Sequence, residues 1–280
     1  MKMHNDIDYK LHDLRHLVWD KARQSSGTAG SLLKSSEKIS GKKLYYKLSD
    51  YDYMNGIRGH ECINEIIAGR LMDYFKINHL KYILLNSVIK IQDKEYTTWL
   101  CISEDFKKIG ESKITFENFY QLEKDTGESP MDFCIRKGFA DYIYEMLLVD
   151  FLICNRDRHG ANMEILRNSK EKSFRPAPLY DHGLSFLCRC LTKEEAERFD
   201  VMEDKRVQSF IGNMNGASSC FENLKYIPLA FLQKLPFLTK DAVDFITEGI
   251  EELLPDGVFP KIREMLIERW NYIENLRNKR

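Results

Sequence analysis

The chain has 280 residues, of which 43% are hydrophobic, so it is long enough for one large domain or for two lobes that share a cleft. Its 42 basic and 43 acidic residues give a formal net charge of −1. A nearly neutral chain lacks the electrostatic field that non-specific nucleic-acid binding requires, so we expect no direct binding of DNA or RNA.

The cysteines and the N-terminal sequence indicate where the protein resides. The seven cysteines are scattered and odd in number, which is typical of reduced structural thiols in the cytosol. Residues 1–17 contain no apolar run of the signal-peptide type. No stretch approaches the roughly 20 apolar residues of a membrane span. The sequence therefore predicts a cytoplasmic protein that does not bind membranes.

The first third of the chain is predicted to be rich in strands. Apolar residues at helical spacing over 8–22 predict a short amphipathic helix first. The aromatic, alternating stretch KLYYKLS at 43–49 then predicts a strand, and the apolar face of 60–75 predicts a helix. Residues 81–91 and 96–102 read as two strands of a hairpin.

The pattern becomes helical after Glu104. Residues 131–153 predict a long, largely buried helix that runs into CNRDRHGAN. MEIL and APLYD flank a polar loop and predict a short hairpin. From about 190 onward the pattern is helical, with a Gly/Asn/Ser-rich interruption at 212–219.

These elements predict an α+β, two-lobed fold with a small strand-rich N-terminal lobe and a larger helical C-terminal lobe. The joint is expected near Glu104–Phe106. The predicted parts are an N-terminal helical segment at 1–23, the first lobe at 24–104 and the second lobe at 105–280.

Two polar islands interrupt the apolar runs of the second lobe. CNRDRHGAN contains Asp157, His159 and Asn162, and PLYDHGLSF contains Asp181 before a glycine. A turn with local hydrogen bonds is one interpretation of the first island. A hairpin between the islands would instead place Asn162 beside Asp181, and such oxygen ligands, completed by phosphate oxygens and water, suit Mg²⁺. Asp157 could then accept a proton from an incoming hydroxyl, as in kinases.

The first lobe offers residues that could bind a nucleotide. The stretch SSGTAGS, which begins at Ser25, could form a turn whose backbone N–H groups approach phosphates, although a plain linker has the same composition. Lys47 lies on the following strand. A lysine that faces a cleft needs a carboxylate partner, and Glu65 on the next helix is placed for this, with Glu61 as the competing choice. Both glutamates could equally be surface charges.

The order of a Gly-rich loop, a strand lysine, a helix glutamate, D-x-H-x-x-N and D-x-G resembles the HipA-like kinases. These are bacterial serine/threonine protein kinases, distantly related to the phosphoinositide 3/4-kinases. The resemblance covers about 24–190, and NRDRHGAN is its most specific part. ISEDF at 102–106 resembles the family's hinge. The chain resembles short members in which the N-terminal subdomain is missing or is a separate protein, and its loop lacks the family's usual G-x-Q-x-K pattern.

The resemblance implies a role for each matching residue. Asp157 would be the catalytic base, braced by His159, and Asn162 and Asp181 would bind Mg²⁺. Lys47, held by Glu65, would contact the α-phosphate of ATP. Backbone groups from Ile102 to Glu104 would bind the adenine. The expected phosphate loop consists of Gly27, Thr28, Ala29, Gly30 and Ser31.

The implied function is ATP- and Mg²⁺-dependent phosphorylation of Ser or Thr in a protein substrate that the sequence does not name. A lipid or small-molecule kinase and a non-catalytic kinase-fold binding protein are the alternatives. The resemblance also implies a toxin-antitoxin role with an antitoxin-like DNA-binding partner. The resemblance further implies inhibitory autophosphorylation of the loop at Ser26, with Ser25 and Ser31 as neighbouring candidates; the added phosphate would repel the phosphates of ATP.

Overall fold

The N-terminal lobe is built on a five-stranded sheet. The computed structural model describes residues 4–19, 32–211 and 213–278, with the backbone alone for 213–217. In the sheet the strands run in the order β1-β6-β7-β3-β2, and β4 with β5 forms a separate small ribbon. The elements of this lobe are β1 (Ile7–Asp13), β2 (Lys34–Ile39), β3 (Lys42–Leu48), β4 (Tyr51–Asp52), β5 (Gly56–Ile57), α1 (Glu61–Phe75), β6 (Ile83–Ile91) and β7 (Lys94–Glu104).

Three predictions for this lobe are confirmed: strand β3, helix α1 and the hairpin of β6 with β7. The helix ends at Lys76, which adopts the left-handed conformation with φ of 60°. Most of α1 is buried, because one side packs on the sheet and the other on the C-terminal lobe. The buried polar residues on this helix, among them Asn64 and Glu65, therefore face other parts of the protein rather than solvent.

The helix predicted for residues 8–22 is wrong in the part that the structure describes. Strand β1 pairs in parallel with β6, from Ile7 opposite Leu84 to Asp13 opposite Val88. The sequence IDYKLHD alternates as a strand does, and its backbone partners lie some seventy residues away in the chain. This long-range pairing overrides the local helical spacing. Residues 20–22 lie outside the described part of the chain.

The C-terminal lobe combines helices with short strands. One three-stranded sheet has the order β11-β10-β8, and a second has the order β13-β12-β9. The elements are β8 (Glu111–Thr115), α2 (Phe116–Glu123), α3 (Pro130–Arg136), α4 (Ala140–Leu152), β9 (Asp157–Arg158), β10 (Glu164–Asn168), β11 (Ser173–Pro176), α5 (Lys193–Glu197), β12 (Arg206–Ser209), β13 (Asn213–Ser219), α6 (Cys220–Asn223), α7 (Leu229–Leu232), α8 (Lys240–Ile246) and α9 (Val258–Arg277).

The single helix predicted for 131–153 is in fact two helices, α3 and α4. Gly138 adopts a φ of 75°, which favours glycine and ends α3. The side chain of Ser129 caps the start of α3 by accepting a hydrogen bond from the Asp132 N–H group. The apolar pattern continues across the break, because both helices pack into the same core.

Two further predictions for this lobe need correction. The hairpin pairs β10 with β11, from Ile165 opposite Pro176 to Asn168 opposite Ser173, so its second strand ends just before APLYD. Pro178 within APLYD lacks the N–H group that a strand would use. Residues 213–219, predicted to interrupt helices, form β13 and pair with β12.

A continuous apolar core joins the two lobes. Helix α1 contributes Phe75, whose ring lies 5.4 Å from that of Trp270 on α9. Helix α4 lies in the same core and runs directly into the first polar island. Among the described residues, no helix combines the length and the apolar character needed to cross a membrane.

Candidate active site

Lys47 is the centre of a largely buried cluster of charges between the lobes. Its ammonium group donates a hydrogen bond of 2.7 Å to Oε1 of Glu65 and a second one to a carboxylate oxygen of Asp181. Lys47 lies on β3, Glu65 on α1 and Asp181 after β11, so the cluster joins a strand, a helix and a loop. Glu65 is fully buried.

Glu61, the competing partner for Lys47, makes a different contact. Its Oε2 accepts a hydrogen bond of 3.0 Å from the Asp50 N–H group. Burial raises the pKa of Glu61. The Cβ of Glu61 also lies 3.0 Å from the position that a Cβ on Gly183 would occupy, which explains a glycine there. The structure thus brings Glu65, not Glu61, to Lys47.

Electrostatic attraction outweighs the cost of burial within this cluster. Burial by itself lowers the pKa of Lys47, but the carboxylates of Asp181 and Glu65 hold that pKa well above its ordinary value. Burial raises the pKa of Glu65, yet the charge of Lys47, assisted by the neighbouring His182, brings it below its usual range. The pKa of Asp181 is lowered by Lys47 in the same way. All three groups are therefore ionised at neutral pH.

The segment that carries Asp181 is fixed by side chains of α1. Asp181 adopts a left-handed φ of 63°. The next N–H group, that of His182, donates a hydrogen bond of 2.9 Å to Oε2 of Glu65. Asn64 donates to the carbonyl of Gly183 at 2.9 Å. Because Glu65 binds both Lys47 and this segment, α1 sets the position of Asp181 relative to the sheet.

The first polar island forms a partly exposed loop beside α4. The Asn162 side-chain nitrogen donates to the main-chain carbonyl of Asp157 at 3.0 Å and to its Oδ2 at 3.2 Å. His159 lies with Nε2 3.4 Å from Oδ1 of Asp157, and its Nδ1 accepts the Ala161 N–H at 3.2 Å. The structure thus brings Asp157, His159 and Asn162 together.

A buried ion pair, which the sequence analysis missed, lies beneath this loop. Asp150 on α4 accepts hydrogen bonds of 2.9 Å from Nε and Nη2 of Arg158. Nη1 of Arg158 donates to the carbonyl of Tyr180 at 2.8 Å, directly before Asp181. Asn155 donates to Asp150 at 2.8 Å and accepts the N–H of Asp157 at 3.2 Å. Asp150 therefore links both polar islands.

A sequence signal for this ion pair exists. Asp150 is an acidic residue inside the apolar run MLLVDFLI, and an arginine follows it eight residues later. A buried charge requires a partner, so an isolated acid in an apolar helix indicates such a pairing.

The residues expected to bind adenine lie at the end of β7. The β6–β7 register ends with Ile83 opposite Ile102, whereas β3 continues alongside β7 as far as Leu44 opposite Glu104. The side chain of Glu104 is exposed and forms an ion pair with Lys42 at 2.8 Å. Beyond Ile102, the backbone of β7 is therefore paired with a neighbouring strand, β3, on one side.

The two islands contain oxygen atoms of the type that magnesium binds. The Asn162 side chain donates through its nitrogen, and Asp181 uses one oxygen to bind Lys47. Among the described contacts, the amide oxygen of Asn162 and the second carboxylate oxygen of Asp181 are therefore available to a metal. Hard oxygen donors of this kind suit Mg²⁺ when phosphate oxygens complete the shell. Within residues 4–19, 32–211 and 213–278, no group of three or more His, Cys, Asp or Glu is arranged to hold a metal.

The expected phosphate loop cannot be placed in this site. Residues Gly27 to Ser31, with Ser25 and Ser26, lie outside the described part of the chain. Their predicted roles stay predictions.

Comparison with known proteins identifies the class of this fold. No family model matches the chain. The fold is similar to those of the kinase CtkA and of HipA, which confirms the predicted resemblance and the two-lobed α+β architecture. In sequence the chain is 25% identical over 143 residues to the serine/threonine-protein kinase CtkA of Helicobacter pylori. That alignment covers 48% of this chain and 42% of the relative, so the chain matches less than half of that protein's length.

Solved structures extend the similarity to most of the chain. The crystal structure of the H. pylori proinflammatory kinase CtkA matches with a TM-score of 0.59 and 16% identity, over 87% of this chain and 92% of that chain. HipA of Shewanella oneidensis, in a toxin-antitoxin complex with HipB and operator DNA, matches with a TM-score of 0.51 and 16% identity. This match covers 94% of this chain and 69% of that chain.

Proposed function

We propose that this protein is an ATP- and Mg²⁺-dependent kinase that phosphorylates Ser or Thr in a protein substrate. The observation that carries the proposal is the buried cluster of Lys47, Glu65 and Asp181, which Arg158 ties to the loop of Asp157 and Asn162. Phosphoryl transfer needs a cation to hold phosphates, oxygen ligands for a metal and a base for the hydroxyl, and this site contains all three.

Each side chain has a defined task in this proposal. Lys47, kept protonated and oriented by Glu65, binds the α-phosphate. Asp181 and Asn162 supply oxygen ligands to the metal. Asp157 accepts the proton of the attacking Ser or Thr hydroxyl, and His159 holds the Asp157 carboxylate in place. Bound Mg²⁺-ATP would supply the phosphoryl group and the cation that neutralises its charge.

The control of the enzyme forms part of the same proposal. Phosphorylation of Ser26, or of its neighbours Ser25 and Ser31, would add about −1.5 to −2 charges beside the phosphate site and inhibit ATP binding. HipA of S. oneidensis occurs in a complex with HipB and DNA. By analogy, an antitoxin-like DNA-binding protein is the partner that we propose, since the near-neutral chain itself is poorly suited to bind DNA.

A phosphorylation assay tests the proposed activity. Dephosphorylated protein is incubated with Mg²⁺-ATP, alone and with a cell lysate, and phosphoserine and phosphothreonine are identified by mass spectrometry. We expect phosphate transfer that EDTA abolishes and that the Asp157→Asn variant lacks. Peptide mapping of the 24–36 segment tests loop autophosphorylation in the same samples. Transfer that persists equally in the variant would contradict the assignment.

A further inference from the structure

Three aromatic rings converge on the joint between the lobes. Tyr45 lies on β3, two residues before Lys47 on the same face of the strand. Phe106 follows β7, and Tyr180 precedes Asp181. The rings of Phe106 and Tyr180 are 5.7 Å apart between centroids and are tilted by 33°. Rings from both lobes thus lie next to the strand end where the base of a nucleotide is expected.

A lysine ammonium lies among these rings. Nζ of Lys113, on β8, is 3.9 Å from the centroid of Phe106 and 6.0 Å from that of Tyr45. The same nitrogen is 3.5 Å from Oδ1 of Asp105 and 3.5 Å from Oε2 of Glu164. Glu164 Oε2 is buried and makes no hydrogen bond to any described residue. Lys113 therefore contacts both an aromatic face and two carboxylates, at distances longer than an ideal hydrogen bond.

We propose that Lys113 is a displaceable occupant of the nucleobase site and competes with the base for the face of Phe106. A planar base stacks on an aromatic ring at van der Waals distance, and an ammonium 3.9 Å above that ring fills the same space. The base must therefore move the ammonium before it can stack. Asp105 and Glu164 supply the alternative position, because each lies one short side-chain movement from a close ion pair.

This inference rests on the proposed function for the identity of the ligand, a purine nucleotide. It adds that Lys113 lowers the affinity for the nucleotide below the value that the aromatic rings alone would give. The cost is the cation–π contact that the base replaces, which is worth about 0.5–2 kcal/mol, or roughly a two- to thirtyfold change in affinity.

Calorimetric titration with adenosine and with Mg²⁺-ATP measures this competition without any need for turnover. We expect Lys113→Ala to bind adenosine about two- to thirtyfold more tightly than the unchanged protein. Lys113→Arg should bind it no more tightly than the unchanged protein, because a planar guanidinium also stacks on an aromatic face. The matched control is Lys43→Ala: its exposed ammonium lies 4.7 Å from the Tyr45 ring, and its loss removes the same charge.

The outcomes separate this inference from the proposed function. Tighter adenosine binding by Lys113→Ala, with Lys43→Ala unchanged, supports the inference even if the protein transfers no phosphate. Unchanged or weaker binding by Lys113→Ala overturns it, even in an active kinase. An equal gain in both alanine variants would assign the effect to net charge and would also overturn it. Absence of adenosine binding by every variant at millimolar concentration would exclude a base site between these rings.

Discussion

The two halves of the candidate site are stabilised in opposite ways. In the cluster, Lys47 and Glu65 are buried and the Asp181 side chain is 26% exposed, and Lys47 binds both carboxylates directly. The loop of Asp157 and Asn162 is partly exposed, and its hydrogen bonds are mostly internal to the loop. Arg158 of the loop connects it to the rest of the protein through a buried ion pair with Asp150, and β9 adds backbone pairing with β12.

This structural difference predicts that nucleotide binding and phosphoryl transfer can be impaired separately. In the buried cluster each group sets the charge state and the position of the others, so a substitution there should affect nucleotide affinity and transfer together. In the partly exposed loop, the ion-pair partner of Asp157 among the described residues is His159 of the same loop, so the Asp157 carboxylate is available to a substrate. Substitutions in the two halves should therefore give different patterns of kinetic and binding defects.

The largest effect is expected for Asp157→Asn. The amide has the same shape but cannot accept the hydroxyl proton, so we expect turnover to fall by about 10²–10⁴-fold. Affinity for Mg²⁺-ATP should stay within about threefold of the unchanged protein, because the base acts on the hydroxyl and not on ATP. Steady-state kinetics and calorimetry measure the two quantities separately. More than about a tenth of the original turnover would count against Asp157 as the base.

Asp181→Ala provides the contrasting control in the buried half. It removes both a proposed metal ligand and a partner of Lys47, so affinity and turnover should both decrease. If Asp181→Ala and Asp157→Asn instead show the same separation of binding from turnover, the two halves do not differ as we argue.

The second effect is on stability and tests the support beneath the loop. Asp150→Ala leaves the Arg158 guanidinium buried without its carboxylate, so we expect the free energy of unfolding to fall by about 3–5 kcal/mol. Urea denaturation measures this change. Asp141→Ala is the matched control on the exposed start of the same helix, where a loss below about 1 kcal/mol is expected. Similar losses in both variants would mean that the ion pair contributes little.

How far the sequence predicts this molecule depends on how local the determining contacts are. Strand β3, helix α1 and the β6–β7 hairpin follow from patterns within short segments, and these predictions are confirmed. Strand β1 could not be predicted locally, since its partner β6 lies some seventy residues away. The short strand β9 likewise exists only through its pairing with β12, about fifty residues later.

The same distinction applies to the candidate site. The motif spacing indicated Asp157, Asn162 and Asp181, because each lies in a short polar island between apolar runs. It favoured Glu65 as the partner of Lys47 but left Glu61 as a competing choice, since one helical turn separates the two. The structure resolves the choice, because Glu61 accepts a hydrogen bond from the Asp50 N–H group and Glu65 binds Lys47. Asp150 was missed because its partner, Arg158, reaches it only through the three-dimensional path of the loop.

A smaller effect should separate these two glutamates functionally. Glu65→Gln keeps the size of the side chain but removes the charge that orients Lys47, so we expect kcat/KM to fall by about 10–100-fold. Glu61→Gln should stay within about threefold, because its contact is one hydrogen bond to a backbone N–H group. Kinetics of both variants under identical conditions provide the measurement. Equal defects would show that the position of α1, rather than the Lys47–Glu65 pair, limits activity.

The smallest effect concerns acid stability near the buried half. His79 is buried, and its Nδ1 has no hydrogen-bond partner among the described residues. Burial, assisted by the charge of Lys81, lowers its pKa from 6.5 to about 3. Because the unfolded chain takes up this proton near pH 6.5 and the folded chain does not, the stabilisation is complete above pH 6.5. It is lost as the pH falls, until the folded histidine also titrates near 3.

We expect His79→Gln to reduce the loss of unfolding free energy between pH 7 and 5.5 by about 1 kcal/mol, measured by urea denaturation. The exposed His16→Gln variant should lose as much as the unchanged protein over the same range. If His79→Gln does so too, then the folded protein accommodates the charged imidazole, and burial of His79 does not make the protein less stable in acid.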